Sequence, residues 1–300
     1  MVKKNILVTG STGLLGSTLV ASLEKDYNVF GTARRNFKGN LQKNFLPFDL
    51  AKPSYQRLFE WAQPQVVIHC AAITDIDYCE QHPQKAIQIN YEPIKKLGQN
   101  KSIEKIIFIS SDAVFDGLKR NPSEKSFKSP LNMYGKTKQK SEEYLLCHDQ
   151  RNIVIRTTII GKNTNPKAKD SLVEWIFNSL KNRKIISLFN DVVFNPITTL
   201  HLAHEIGFLI NTKFCGVFHI SGSETISKYS FGKKLSLELK LDSNLIRKGS
   251  IKNSHFIATR SNNQTLNTSF YTKMTGRKLP DIDDTINQLV SQFPDKETDL

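Results

Sequence analysis

The sequence predicts an α/β protein built on a doubly wound parallel sheet, and three observations carry that expectation. Short apolar runs alternate with stretches of helical periodicity through the first half of the chain. Several of those runs are apolar at consecutive positions, as strands covered on both faces must be. The first run ends in Gly10-Ser-Thr-Gly13-Leu-Leu-Gly16, a glycine turn that opens directly into a helical pattern.

Taken in order, the apolar runs place strands at Asn5–Thr9, Asn28–Thr32, Phe45–Asp49, Val66–Cys70, Ile106–Ser110 and Ile153–Arg156. The helical patterns between them cover Leu14–Leu23, Tyr55–Ala62, Pro83–Gly98 and Met133–Leu146. After Ile160 the alternation loosens. Asn163–Lys169 reads as a loop, followed by a helix over Ser171–Lys181 and a strand over Ile185–Phe189. Asn195-Pro196 then leads into a helix over Leu200–Ile210 and a strand over Gly216–Ile220. The remainder mixes short helices with Ser/Asn-rich connections, and Asp295–Leu300 reads as a frayed end. The expected division is a nucleotide-binding domain over 1–160 and a smaller, mainly substrate-binding domain over 161–300. Segments near 185–220 are expected to return to the main sheet.

A chain of 300 residues can bury one large α/β core with a smaller cap. No apolar run approaches the roughly 20 residues that span a bilayer, and Met1–Asn5 enters a strand without a signal-peptide pattern. The expected location is therefore cytoplasmic, with no membrane partner. Cys70, Cys79, Cys147 and Cys215 are scattered and form no CxxC pair, which fits reduced thiols. His69, His82, His201, His204, His219 and His255 lack metal-ligand spacing, so no metal is expected. A net charge of +14 suggests nucleic acid, but the lysines are dispersed, with no basic arm or zinc finger. A lysine-rich solvated surface accounts for it, and no nucleic-acid partner is expected.

The glycine turn is where chemistry begins. Gly10 permits a tight turn, Gly13 lets backbone N–H groups approach a pyrophosphate, and Gly16 allows close helix–strand packing. The helix N-terminus then faces the phosphates. Thr12, Leu14 and Leu15 complete this cradle. The spacing, GxxGxxG, is one residue longer than the commonest dinucleotide fingerprint. The second strand ends Gly31-Thr-Ala-Arg34-Arg35 with no acid, which favours NADPH and leaves NADH as the alternative. Asp49 and Leu50, closing the third strand, are placed to meet the adenine edge. Ala71 and Ala72, closing the fourth, are small enough to let a cofactor pass, or serve core packing.

Tyr134 and Lys138 lie one helical turn apart in Pro130-Leu-Asn-Met-Tyr-Gly-Lys-Thr-Lys138, so both can face one pocket. The strand Ile106–Ile109 runs into Ser110-Ser111-Asp112 and can deliver a hydroxyl there. Reducing a carbonyl produces an alkoxide that must be protonated as it forms. Tyr134 can give that proton, Lys138 is expected to lower the phenol's pKa, and Ser111 can orient the carbonyl oxygen.

With these motifs in place the chain resembles the extended short-chain dehydrogenase/reductases, and more narrowly the dTDP-4-dehydrorhamnose reductase family of sugar-nucleotide reductases. The resemblance rests on Thr9–Gly16, Val67–Ala72, Ile76–Glu80, Ser110–Gly117, Pro130–Lys138 and Arg156-Thr157. It implies a Rossmann-type sheet with a smaller C-terminal substrate domain, a catalytic Ser111–Tyr134–Lys138 triad and a substrate-side Asp112. It implies a nucleotide-sugar substrate, a role in polysaccharide biosynthesis and the option of a homodimer. Ala113 stands where related dehydratases look like Glu, so elimination is not expected, whereas epimerases remain an alternative. The chain departs from the family at Ile159, where an aromatic lining the substrate pocket is usual, and at Arg260-Ser261, where Arg-Pro is typical. The regulatory subunit of methionine adenosyltransferase resembles the same family equally well at Pro130–Lys138, which keeps a non-enzymatic, cofactor-binding role open. Asn90 is expected to anchor the active-site backbone, as the family suggests.

Overall fold

The computed structural model describes residues 3–36 and 42–293. The Asp295–Leu300 end lies outside them. The first six strands are β1 (Asn5–Thr9), β2 (Asn28–Ala33), β3 (Phe45–Pro47), β4 (Val66–His69), β5 (Lys105–Ile109) and β6 (Ile153–Arg156). Shorter ones come after: β7 (Ile159–Ile160), β8 (Ile186–Phe189), β9 (Val193–Phe194), β10 (Ile197–Thr198), β11 (Gly216–His219), β12 (Ile226–Ser227), β13 (Ile246–Gly249) and β14 (Asn263–Gln264). The helices are α1 (Leu14–Leu23), α2 (Gln56–Ala62), α3 (Ile76–Gln81), α4 (Pro83–Asn90), α5 (Glu92–Gln99) and α6 (Met133–His148). They continue with α7 (Leu172–Lys181), α8 (Thr199–Ile210), α9 (Lys228–Glu238), α10 (Ser269–Thr275) and α11 (Ile282–Val290).

A seven-stranded sheet in the order β11-β6-β5-β4-β1-β2-β3, parallel at every pairing, forms the centre. Its strands alternate between two cores. Ile6 and Val8 of β1, Val66 and Ile68 of β4, and Ile107 and Ile109 of β5 join the core beneath α1 and α8. Leu7, Val67, Ile106 and Phe108 face the opposite core with Leu58, Ile94, Leu97 and Leu145. Burial on both faces explains the unbroken apolar runs. Strand order reverses between β1 and β4, so a crevice opens at their C-terminal ends, where ligands bind in such sheets.

Of the segments expected to rejoin the main sheet, Gly216–His219 does so as the edge strand beside β6. Ile186–Phe189 instead pairs with β13 in a separate two-stranded sheet. Its alternating burial, with Ser187 and Phe189 less covered than Ile186 and Leu188, does not suit a sheet sandwiched between helices. A third apolar core, containing Ile176, Leu188, Phe194, Phe231 and Ile286, holds α7, α9, α11, β8 and β13 together. The single helix expected over Pro83–Gly98 is two helices with the break at Tyr91, because Pro93 enters the first turn of α5 and cannot donate to a continuing ladder. Among the described residues no helix is long and apolar enough to cross a membrane.

Candidate active site

The glycine turn sits at the crevice. Gly10 has φ +67°, and a Cβ there would lie 2.8 Å from the Ala71 nitrogen, so only glycine fits against the end of β4. A Cβ on Gly16 would come within 2.2 Å of the Gly10 carbonyl oxygen, which fixes how closely α1 starts against the turn. Gly13 is different. It is exposed, and a Cβ on it would meet only the Gly10 oxygen, at 3.2 Å. As N-cap of α1 it has no side-chain cap, and the first turn carries no acid, so the helix N-terminus is open to an anion. Ser11 points a fully buried hydroxyl with no hydrogen-bond partner among the described residues. An uncapped N-terminus above an open glycine and an orphaned hydroxyl is the cradle a pyrophosphate needs.

Thr9 ties this turn to the end of β4. Its hydroxyl bonds the His69 Nδ1 at 2.8 Å and accepts from the Ala71 nitrogen at 3.4 Å. Burial and the Lys138 ammonium push His69 down to about 3, so the imidazole is neutral. Ala71 and Ala72 are half-buried beside the turn. Thr12 and Leu14 are half-buried, while Leu15 belongs to the core under α1. Arg34 and Arg35 are exposed just past β2. Asp49 is half-buried and accepts from the Ala51 nitrogen at 3.0 Å. Leu50 is drawn into the second core, its carbonyl capped by the Tyr55 hydroxyl at 2.5 Å.

The catalytic candidates converge one strand over. Asn132 caps α6 by accepting from the Gly135 nitrogen, and this sets the register of the helix. Tyr134, Lys138 and Glu142 then fall at i, i+4 and i+8 on one stripe. The Lys138 ammonium donates to the Ile109 carbonyl at 2.8 Å and sits 5.8 Å from the centre of the Tyr134 ring. The Tyr134 phenol lies close enough to Ser111 for its titration to feel that hydroxyl. Ser111, first residue past β5 to leave the sheet face, donates to the Asp112 Oδ1 at 2.9 Å and accepts from the Ala113 nitrogen at 3.1 Å. Burial pulls the Lys138 ammonium down to about 8.

The phenol departs from the expectation of a lysine-lowered pKa. Burial and then the Asp112 carboxylate raise the Tyr134 phenol, with Ser111 opposing them. The balance comes from geometry, because the ammonium is engaged by a backbone carbonyl while a carboxylate stands close by. Tyr134 accordingly carries its proton at neutral pH.

Support comes from residues around the triad. Asn90 brackets Ile73, accepting from its nitrogen at 2.7 Å and donating to its carbonyl at 3.1 Å, and also donates to the Thr137 hydroxyl on α6 at 3.2 Å. Asn90 thus anchors the loop after β4 to the tyrosine-bearing helix. Beneath Lys138, Glu142 accepts from Ser110 at 2.5 Å and takes two hydrogen bonds from Arg156, at 3.0 and 2.7 Å. This ion pair joins the tips of β5 and β6 to α6, with both side chains buried.

Arg260 pairs with Asp77 of α3 at 3.1 Å and lies 3.7 Å from the Phe256 ring centre. Its Nε is buried and without a partner among the described residues. Ile159 lies on β7, half-buried against the main core. Lys228, which no local pattern in the sequence marked, opens α9 with its ammonium 3.3 Å from the Phe194 ring centre, in the field of Asp112. Among the described residues no group of three or more His, Cys, Asp or Glu side chains is placed to hold a metal ion.

Sheet order, glycine turn and the Ser–Tyr–Lys cluster define the class, an extended short-chain dehydrogenase/reductase. Within it, the chain belongs to the family described as the RmlD substrate binding domain, whose model matches residues 4–294. It is similar to the methionine adenosyltransferase 2 subunit beta of Danio rerio, 29% identical over 241 residues that cover 75% of this chain and 71% of that protein. It is similar along nearly its whole length to a probable low-salt glycan biosynthesis reductase of Haloferax volcanii, 24% identical over 96% of this chain and 98% of that one. Its fold matches a dTDP-4-dehydrorhamnose reductase of Bacillus anthracis, solved in complex with NADP, with a TM-score of 0.86, 23% identity, and 98% and 100% of the two chains covered.

Proposed function

We propose that the chain is an NADPH-dependent reductase of a nucleotide-linked keto-sugar. The observation that carries this reading is the convergence of Ser111, Tyr134 and Lys138 beside an open phosphate cradle at the sheet's switch point. The NADP held by the similar Bacillus anthracis reductase supports the choice of cofactor, as do Arg34 and Arg35 where an acid would favour NADH.

Gly10, Gly13, Gly16 and the N-terminus of α1 would hold the pyrophosphate, Arg34 and Arg35 the 2′-phosphate, and Ala71 and Ala72 the approach to the nicotinamide. When bound, that cofactor supplies hydride to the carbonyl carbon. The protein supplies the rest. Ser111 hydrogen-bonds the carbonyl oxygen, and Tyr134 delivers its phenolic proton as negative charge develops there. Lys138 places a positive charge within a turn of the phenolate so formed and stabilises it. A phenol held protonated in the resting state is ready for this direction of transfer. The test is Tyr134→Phe, which should abolish turnover while leaving NADPH affinity within a few fold. Unchanged turnover would remove the mechanism.

The similarity to a methionine adenosyltransferase subunit supports a second reading, a cofactor-binding regulatory subunit. The two separate on one observation: NADPH consumption with a keto-sugar nucleotide, or none together with a stoichiometric protein partner.

A further inference from the structure

Between β13 and β14, residues 254–262 form neither helix nor strand, and Phe256 and Ile257 stand exposed on this strap. Phe256 meets the Phe189 ring at the end of β8 edge-on, 6.0 Å between centres, and carries the Arg260 guanidinium on its face. A segment that buries so little apolar surface does not hold itself in place. Its anchors lie in the N-terminal half of the chain. The Asp77 Oδ1, on α3, takes both the Ala258 nitrogen and the Arg260 guanidinium, each at 3.1 Å. One residue further along, the Thr259 carbonyl accepts from the Asn132 Nδ2 at 2.9 Å.

These anchors also hold the start of α6. The Asn132 Oδ1 accepts from the Gly135 nitrogen at 3.0 Å, so one buried amide serves strap and helix cap together. Glu80, three residues beyond Asp77 on α3, accepts from the Met133 nitrogen at 2.7 Å. The backbone N–H groups on both sides of Tyr134 are thereby fixed. The first turn of α6 has no slack toward Ser111 either. A Cβ on Gly135 would lie 2.1 Å from the Ala113 carbonyl oxygen, and the Ala113 nitrogen donates to the Ser111 hydroxyl at 3.1 Å. Strap, cap and Ser111 loop form one connected set of contacts around Tyr134.

We propose that Asp77 is a positioning residue for proton transfer: by docking the strap it fixes Asn132, and through Asn132 the placement of Tyr134 against Ser111. This rests on the reductase reading and adds to it a residue whose own contacts are with the strap. Because the strap belongs to the C-terminal half, the two halves must be closed on one another before the phenol is in place. Misplacing a reacting group by about 1 Å costs on the order of 100-fold in rate.

Two substitutions separate this relay from simple scaffolding. Asn132→Ser keeps a capping oxygen for the Gly135 nitrogen, since serine caps helices about as well as asparagine, but its shorter side chain falls short of the Thr259 carbonyl. Asp77→Asn keeps an acceptor for the Ala258 nitrogen and loses the charge that holds Arg260. Both variants and their combination are assayed with a keto-sugar nucleotide that wild type reduces, in H2O and in D2O, with NADPH affinity taken from fluorescence titration. Each single change should lower kcat by roughly 10–100-fold and leave NADPH affinity within about twofold. The solvent deuterium isotope effect on kcat should rise, because the slowed step moves a proton. The double variant should stay within about threefold of the larger single loss, because both changes cut the same relay. Wild-type kcat in Asn132→Ser, an unchanged isotope effect, or losses that multiply in the double variant would leave Asp77 a fastener of the strap and sink the relay, with the reductase reading intact. If wild type oxidises NADPH with no keto-sugar nucleotide offered, the reductase reading itself fails and takes the relay with it.

Discussion

Replacing Glu142 by leucine should cost more stability than any single change on the protein's surface. Glu142 is wholly buried and Arg156 is 2% exposed, so neither charge can recover hydration when its partner is lost. Glu142→Leu removes one hydrogen bond from Ser110 and two from Arg156. Among the described residues the guanidinium keeps hydrogen bonds to the Glu124 carbonyl and the His219 Nε2, each at 3.2 Å, and its place 5.1 Å from the Phe115 ring centre. Lys128 also loses Glu142, at 3.6 Å, but retains Glu143 at 3.0 Å and contributes little. Stranding one member of a buried pair costs about 3–5 kcal/mol, which for a chain of this size is a fall of roughly 5–15 °C in Tm. Arg156→Met should cost less, because Glu142 keeps Ser110 and Lys128. Replacing both charges at once removes the stranded ion, so the double variant should lose at least about 1 kcal/mol less than the two single losses combined. Urea unfolding watched by circular dichroism at neutral pH measures all three. A loss under about 1 kcal/mol for Glu142→Leu, or simple additivity in the double variant, would refute the argument.

Three further outcomes are expected. Gly16→Ala should raise the NADPH dissociation constant at least roughly tenfold, because the new Cβ meets the Gly10 backbone oxygen and displaces the turn; unchanged fluorescence titration would contradict this. Arg34→Ser with Arg35→Ser should weaken NADPH by about tenfold or more and leave NADH within about twofold, and equal losses for both cofactors would exclude a 2′-phosphate contact. His69 and His219 both sit near 3, lowered by burial and then by Lys138 and Arg156 respectively. Between about 3 and 6.5 the unfolded chain binds protons that the folded one does not, so their contribution to stability falls as pH drops below about 6.5. His69→Gln should flatten the dependence of Tm on pH in that window, and an unaltered slope would be inconsistent with a neutral buried imidazole.

The parts legible in the sequence are those where one segment decides its own structure. The apolar run Asn5–Thr9 and the helix Leu14–Leu23 stand where pattern and glycine turn put them. The pairing of Tyr134 with Lys138 comes from helical geometry alone, and Asn90 anchors the loop at Ile73 as expected. What local pattern does not carry is pairing at a distance. Arg156 meets Glu142 across 14 residues, and His219 meets Arg156 across 63. Lys228 opens an unremarkable helix, and only the fold brings it into the field of Asp112, far earlier in the chain. The raised pKa of Tyr134 escapes the sequence for a related reason. Spacing gives the neighbours along a helix, but the degree of burial and the nearby carboxylate come from other elements.

One spine, α6, carries the proposed proton donor, its cationic neighbour and the carboxylate that locks two strand tips, at Tyr134, Lys138 and Glu142. Each inserted residue turns the remainder of a helix by about 100°. A one-residue insertion or deletion between Tyr134 and Glu142 would therefore misalign chemistry and scaffold together. Engineered length changes therefore belong in the loops before Asn132 or after His148, where the helix register is not disturbed.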